Sequence, residues 1–312
     1  MENEAREYVV PKALHGARVD KAALTLATNV SRAQMKRAIA EGAVRVNGRR
    51  RPKGALVSEG EVITILADAV ASKDSPAVPE PGAPLRVVYE SAGVLVVDKP
   101  AGQPSAPLAD GETGTLANAL VGHYPELAEV GYTPREPGLL HRLDTDTSGL
   151  LVVARTAEAF ELLKVGLKAD RLHKSYQLVC REMDLPDRGT IEFPIASHPK
   201  DQRRVYACVH PRDVARYSPR PAKTSYEVAK RGPTWALVGV DVARALRHQI
   251  RVHFAAIDHP LAGDVLYGGE AVPLGHHALH ASRVSFDDAK LGFDVTSPLP
   301  EGMAQLVDLP AS

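Results

Sequence analysis

Residues 138–155, GLLHRLDTDTSGLLVVAR, set a polar cluster between two aliphatic runs. His141, Arg142, Asp144, Asp146, Thr147 and Ser148 fall together, and the run from Gly149 to Arg155 has the length and character of a buried strand. On a loop beside such a strand, a carboxylate's orientation and pKa can be controlled. Two readings fit the residues. Either an aspartate acts as acid, base or nucleophile, or the Asp, Thr and Ser side chains satisfy their own turn. Twelve histidines raise the question of a metal, because His248, His253 and His259 lie close together, as do His276, His277 and His280. None forms a His-Glu-x-x-His pattern, and the only cysteines, Cys180 and Cys208, stand far apart in sequence, so ordinary structural or substrate-facing histidines are favoured and no metal is expected. There is no phosphate loop, dinucleotide fingerprint or serine-hydrolase elbow.

The elements that must carry these residues read as a mixture without regular βαβ alternation. Strands are expected over 85–89, 94–98, 149–155, 175–180, 205–209, 224–228, 235–242 and 278–286. Helices are expected over 157–168, with Thr156 as cap, and over 247–257. The class is α+β, with a large, mostly antiparallel mixed sheet and flanking helices.

At roughly 100–200 residues per domain, 312 residues predict two domains. The stretch 67–84, ADAVASKDSPAVPEPGAP, is rich in proline and small residues and has no hydrophobic periodicity, so it reads as a linker. It separates a small domain, 15–66, from a large one, 85–312. In the small domain Val19, Ala22, Ala23 and Leu26 recur at helical spacing. Ser31 is placed to cap a second helix that stops at Gly42, and Asn47-Gly48 signals a hairpin. The net charge is zero but polarised: +7 over residues 31–53, −6 over 67–140, and seven bases against two acids over 197–223. Two separated basic clusters point to a polyanionic partner. No apolar run approaches a membrane span, the polar start is unlike a secretory signal, and two cysteines suit a reducing cytoplasm.

The small domain, VDKAALTLATNVSRAQMKRAIAEGAVRVNGRRRPKG…EGEVITI, resembles the S-four-type RNA-binding domain in the order and spacing of its Val-Asp-Lys start, Ser-Arg helix opening, Glu-Gly, Val-Arg-Val-Asn-Gly and late Glu-Gly-Glu-Val. Arg32, Lys36, Arg49, Arg50 and Arg51 are its candidate phosphate contacts. In the large domain HRLDTDTSG resembles the His-Arg-Leu-Asp-x-x-Thr-Ser-Gly motif of the RluA-type pseudouridine synthases. Further matches follow in order: Lys-Pro-Ala-Gly at 99–102, His-Lys-Ser-Tyr at 173–176, PAKTSYEV at 221–228, His-Gln-Ile-Arg-Val-His at 248–253, His-Pro-Leu-Ala-Gly-Asp at 259–264, Tyr-Gly at 267–268 and Leu-His-Ala at 279–281.

The resemblance implies the pseudouridine synthase fold with a small α/β RNA-binding domain, and a reaction without cofactor or metal. Asp144 is the implied catalytic carboxylate, Arg251 the cation that pairs with it, and Tyr176 the aromatic ring that stacks on the target base. His141 and Arg142 would help extrude the uridine, and Lys174, His248 and Gln249 would contact substrate. The chain departs from the pattern at Ala245-Leu246, where the family usually has Gly-Arg, and at Asp287-Asp288, where a His-Pro is expected. The expected function is uridine isomerisation in structured RNA, ribosomal RNA first and tRNA second, by a cytoplasmic monomer. The alternatives are a non-catalytic RNA-binding or ribosome-assembly factor and a hydrolase using Asp144 with Asp146.

Overall fold

The chain divides into two compact units, Met1–Asp74 and Ser75–Ser312. The structure, a computed structural model, describes residues 5–27, 30, 32–66, 75–243 and 245–309, and omits the side chains of residues 32 and 33. The expected Ser31 cap, the Arg32 side chain and residues 67–74 of the expected linker lie outside the described residues.

The smaller unit is a four-stranded antiparallel sheet with two helices. β1 (Ala5–Val9), β2 (Val44–Val46), β3 (Arg49–Arg50) and β4 (Val62–Leu66) stand in the order β1-β4-β2-β3. β1 lies ahead of the expected start at residue 15; its polar AREYV gave no strand signal, and it is recruited by a non-local pairing with β4. The periodic residues of α1 (Val19–Leu26) and Met35 and Ala38 of α2 (Arg32–Ala40) fill the core against Val44, Val46, Ile63 and Ile65. Asn47 and Gly48 both take positive φ, +48° and +74°, as a two-residue hairpin turn demands. Arg45, Arg49 and Arg50 are exposed, as is Lys36, while Arg51 pairs with Glu61 at 3.0 Å.

The larger unit is built on a nine-stranded sheet. In chain order its strands are β5 (Val87–Glu90), β6 (Val94–Lys99), β7 (Ser148–Ala154), β8 (Leu172–Arg181), β9 (Arg188–Ile191), β12 (Thr224–Arg231), β13 (Trp235–Asp241), β14 (Leu279–Phe286) and β15 (Phe293–Thr296). A separate hairpin pairs β10 (Ile195–Ser197) with β11 (Val205–Ala207). The sheet runs β5-β6-β7-β14-β8-β13-β12-β9, with β15 added on β14. Every named pairing is antiparallel except β7 with β14, which meet only at His280–Ser148 and Ala281–Gly149. Beyond that point the strands part. The freed edge of β7 is taken by residues 138–140, since Leu140 N donates to Val152 O and Ala154 N to Gly138 O. The chain then turns through residues 141–147 and enters β7 beside β14.

β6 and β7 are buried on both faces, which explains their unbroken aliphatic runs. One face packs on α3 (Leu116–His123) and α6 (Gln249–Ala256), the other on α4 (Ala157–Lys168). α5 (Pro211–Tyr217) lies within the second basic stretch, and α7 (Glu301–Val307) covers Val179 and Trp235. The helix expected over 247–257 starts later, because His248 has φ +53° and cannot be helical. The expected linker also ends earlier: residues 75–84 pack on the larger unit. Ala77 is buried, and the buried amide of Asn118 donates to Val78 O at 2.8 Å.

Candidate active site

Loop 141–147 is fixed through its backbone before any of its side chains is used. Ser105 Oγ donates to Leu143 O at 2.7 Å and accepts from Leu143 N at 3.1 Å. Lys99, with no exposed surface, donates to the carbonyls of Pro100, Gln103 and Thr145 at 2.8–2.9 Å. Burial pushes its pKa down to about 8, against the upward pull of Asp146 and Asp144. Thr147 N closes the turn on Asp144 O, and the Thr147 hydroxyl bonds His277 Nε2 at 2.7 Å. Burial takes His277 down to about 2, so its ring is a neutral brace. The turn satisfies itself and still leaves the Asp144 carboxylate aimed outward.

That carboxylate meets α6. Arg251 Nη1 donates to Asp144 Oδ2 at 2.9 Å, while Nε and Nη2 grip Asp264 at 2.7 and 2.8 Å. The Asp264 side chain is 1% exposed and that of Arg251 8%. Hydrogen bonds and charge from both carboxylates raise the arginine's pKa further, against burial. The guanidinium fork is thereby locked by one carboxylate and presented to the other. Tyr267 lies beneath, its ring centroid 5.2 Å from the Arg251 guanidinium carbon, and its hydroxyl bonds His248 Nδ1 at 2.9 Å. His248 Nε2 stands 3.7 Å from Asp144 Oδ2. Burial lowers the His248 pKa, with Asp144 opposing.

Tyr176 reaches the same cleft from the middle of β8. Its ring is buried, and burial together with Asp144 raises its phenol pKa. Lys174, two residues earlier on the same strand face, also lines the cleft. The cleft holds about 730 Å³, and a recess of about 50 Å³ lies between Asp144, Tyr176 and Arg251.

Asp144, Tyr176, Arg251, His248, Lys174, His141 and Arg142 thus share one cleft, although Asp144 and Arg251 are 107 positions apart. Gln249 borders the recess and His141 the cleft, and both are also held by the protein itself. Gln249 is buried; its Oε1 accepts from Leu246 N, and its Nε2 donates to Lys223 O and Thr224 Oγ1. It holds the start of α6 to β12. His141 accepts from Val152 N at 3.3 Å, and burial takes it down to about 3, so it is a neutral pin at the loop's entry. Arg142 is 57% exposed and pairs with Glu136. Arg32, Lys36, Arg49, Arg50 and Arg51 belong to the other unit. Leu246 packs against the core near Val205 and Val252, while Arg247 donates to the carbonyls of Gln202 and Arg204. Asp264, Lys99 and Ser105 were not singled out from sequence. Asp264 and Lys99 sit inside quoted motifs, whereas Ser105 carries no local signal.

Among the described residues no three His, Cys, Asp or Glu side chains come together as metal ligands, and no helix is long and apolar enough to cross a membrane. His253, for instance, spends both ring nitrogens on Thr224 Oγ1 and Phe193 O.

The sequence pattern described as RNA pseudouridylate synthase matches residues 93–256, and that of the S4 domain matches residues 18–63. The chain belongs to the RNA pseudouridylate synthase family. It is similar to ribosomal large subunit pseudouridine synthase D of Neisseria meningitidis, 35% identical over 315 aligned residues covering 96% of this chain and 80% of that protein. An uncharacterized RNA pseudouridine synthase of Bacillus subtilis is 34% identical, with 93% of each chain covered. Among solved structures, human RNA pseudouridylate synthase domain containing 1 superposes with a TM-score of 0.57 at 25% identity, covering 70% of this chain and 86% of that one. Human RNA pseudouridylate synthase domain containing 4 shares the fold, with a TM-score of 0.55 at 20% identity and 72% and 95% covered.

Proposed function

We propose that this protein converts uridine to pseudouridine in the RNA of the large ribosomal subunit, acting as a cytoplasmic monomer, with tRNA the second candidate substrate. The observation that carries this is the Asp144 carboxylate, gripped by Arg251 and opening on the cleft that Tyr176 lines. The relatives named for the large subunit support the choice of RNA.

A flipped uridine enters the cleft with its base on the Tyr176 ring and its ribose carbon 1′ beside Asp144. Arg142, the exposed arginine of the loop, fills the gap left in the RNA stack. The bond from carbon 1′ to base nitrogen 1 breaks, and Asp144 stabilises the sugar, either by adding to it or by taking the 2′ proton. The base turns and carbon 5 bonds to carbon 1′ as the Asp144–sugar bond breaks or the 2′ proton is returned to the sugar; the carbon 5 proton leaves and nitrogen 1 gains one. No electrons are exchanged with a cofactor. Arg251 fixes the carboxylate before the substrate arrives, so little reorganisation is needed when charge develops on the sugar.

Tritium release from RNA labelled at uridine carbon 5, taken from cells lacking the protein, tests this directly. Wild type is expected to release label from ribosomal RNA, and Asp144→Asn to release none while still binding. No release from ribosomal RNA or tRNA by folded, RNA-binding protein would transfer the case to a binding or assembly factor. Free uracil among the products would indicate hydrolysis.

A further inference from the structure

Lys174 is 6% exposed as a residue, and among the described residues its ammonium donates no hydrogen bond and pairs with no carboxylate, so it opens on the cleft wall and not into the protein. Burial lowers its pKa to about 8. The contrast with Lys99 is informative. That equally buried ammonium spends its three donors on three carbonyls. A partly desolvated cation with no protein partner is available to an anion that enters the cleft.

The placement of Lys174 says which kind of anion it would meet. On β8 it faces the same side as Tyr176, about 7 Å along the strand. That is the span of one nucleotide from base to neighbouring phosphate. It also stands at a junction. The catalytic cleft and a second groove of about 920 Å³ share Lys174 and Leu246 in their walls. The groove carries Asp170, Glu192 and Asp241 beside Lys174, Arg220 and Lys223; Glu192 pairs with Lys223 at 3.2 Å, and Asp241 accepts from Ser175 Oγ at 2.7 Å. The neighbouring imidazole of His141 is neutral and offers no counter-charge.

We propose that Lys174 is the seat for the backbone phosphate next to the flipped uridine, and that the RNA strand passes it from the cleft into the adjoining groove. This deepens the RNA-modifying reading and rests on it. The phosphate pairs with the Lys174 ammonium beside the base held on Tyr176.

The test is the salt dependence of binding to an unmodified transcript of large-subunit ribosomal RNA, for wild type, Lys174→Met and Lys174→Arg. Lys174→Met is expected to bind roughly tenfold more weakly. The slope of log affinity against log salt should fall in magnitude by about 0.7–0.9, the loss of one phosphate contact. Lys174→Arg should keep the wild-type slope. Melting separates this from a structural role, because Lys174→Met removes an uncompensated charge and should melt no lower than wild type. An unchanged slope in Lys174→Met, or an equal loss in Lys174→Arg, overturns the proposal. So does failure of Lys174→Met to fold, since an ammonium kept for RNA contributes nothing to the empty protein. Binding needs no turnover. A changed slope without tritium release would sink the catalytic reading and with it the flipped uridine this phosphate adjoins, whereas an unchanged slope with normal release overturns the phosphate seat alone.

Discussion

The Arg251 guanidinium has two faces to satisfy, and the buried one decides how the exposed one behaves. Asp264 takes Nε and Nη2, leaving Nη1 no direction but toward Asp144. Asp264→Asn keeps the shape but sets an amide donor against the guanidinium's own donors. It is expected to lower kcat at least tenfold with a smaller change in KM, and to cost about 3–5 kcal/mol in denaturant unfolding, as for a buried ion pair that loses one partner. A kcat equal to wild type would mean that Asp144 alone orients the arginine. Lys99 gives a pH-dependent counterpart. Its ordinary pKa of 10.5 is lowered to about 8 in the folded protein, so between those values the unfolded chain binds the extra proton. Unfolding free energy from this group therefore rises with pH across that window and is flat below it. Comparing wild type with Lys99→Met cancels the other groups. The difference should move in favour of wild type by at most about 3 kcal/mol between pH 8 and 10.5. No movement would show that the three carbonyls hold the proton against burial.

The fork between β7 and β14 is what lets the aspartate loop exist. The two strands touch at only two residue pairs, and the closest approach is at Gly149, whose φ is +110°. A Cβ there would stand 2.3 Å from Ala281 O, a backbone atom that cannot swing aside. Gly149→Ala should therefore cost about 3 kcal/mol, part φ strain and part overpacking, and slow turnover as the loop shifts. A loss under about 1 kcal/mol in urea unfolding would show that β14 yields instead. Elements with strong local signals were legible in the sequence: β7 from its aliphatic run, α4 with its Thr156 cap, and α2 ending at a Gly42 of φ +73°. Others were not. α3 is buried all round, so its apolar residues have no helical period, and its Thr115–Asn118 capping box was its only signal. β9, β10 and β15 are three or four residues long and exist through their partners. The site divides the same way. Asp144, Tyr176 and Arg251 could be named because their motifs resemble a family's. The inward turn of Gln249 and the bracing by Ser105 arise from contacts between segments distant in sequence, which no local pattern encodes.

Across the whole molecule the zero net charge conceals two basic regions, one in each unit. They differ in how much of their charge is available. In the stretch 197–223 several bases are already occupied: Arg203 by Asp201, Lys223 by Glu192, and Arg204 over the Tyr267 ring. In the smaller unit Arg45, Arg49 and Arg50 are exposed around the Asn47-Gly48 hairpin, while Arg51 is committed to Glu61. A rigid hairpin that holds guanidinium groups outward supplies affinity without reading sequence, because phosphates are the same everywhere. Replacing Arg49, Arg50 and Arg51 by alanine should therefore weaken binding to ribosomal RNA and to tRNA by similar factors. The salt slope should lose about 2 in magnitude rather than 3, Arg51 counting little because Glu61 competes for it. Turnover at saturating RNA should stay near wild type, since none of these residues belongs to the unit that holds Asp144. Titration of tritium release against RNA concentration at two salt concentrations separates the two effects. A raised KM with unchanged kcat is the expected result. A fall in kcat at saturation would show that the hairpin also presents the uridine to the cleft, and an unmoved salt slope would reduce these arginines to a solvated surface.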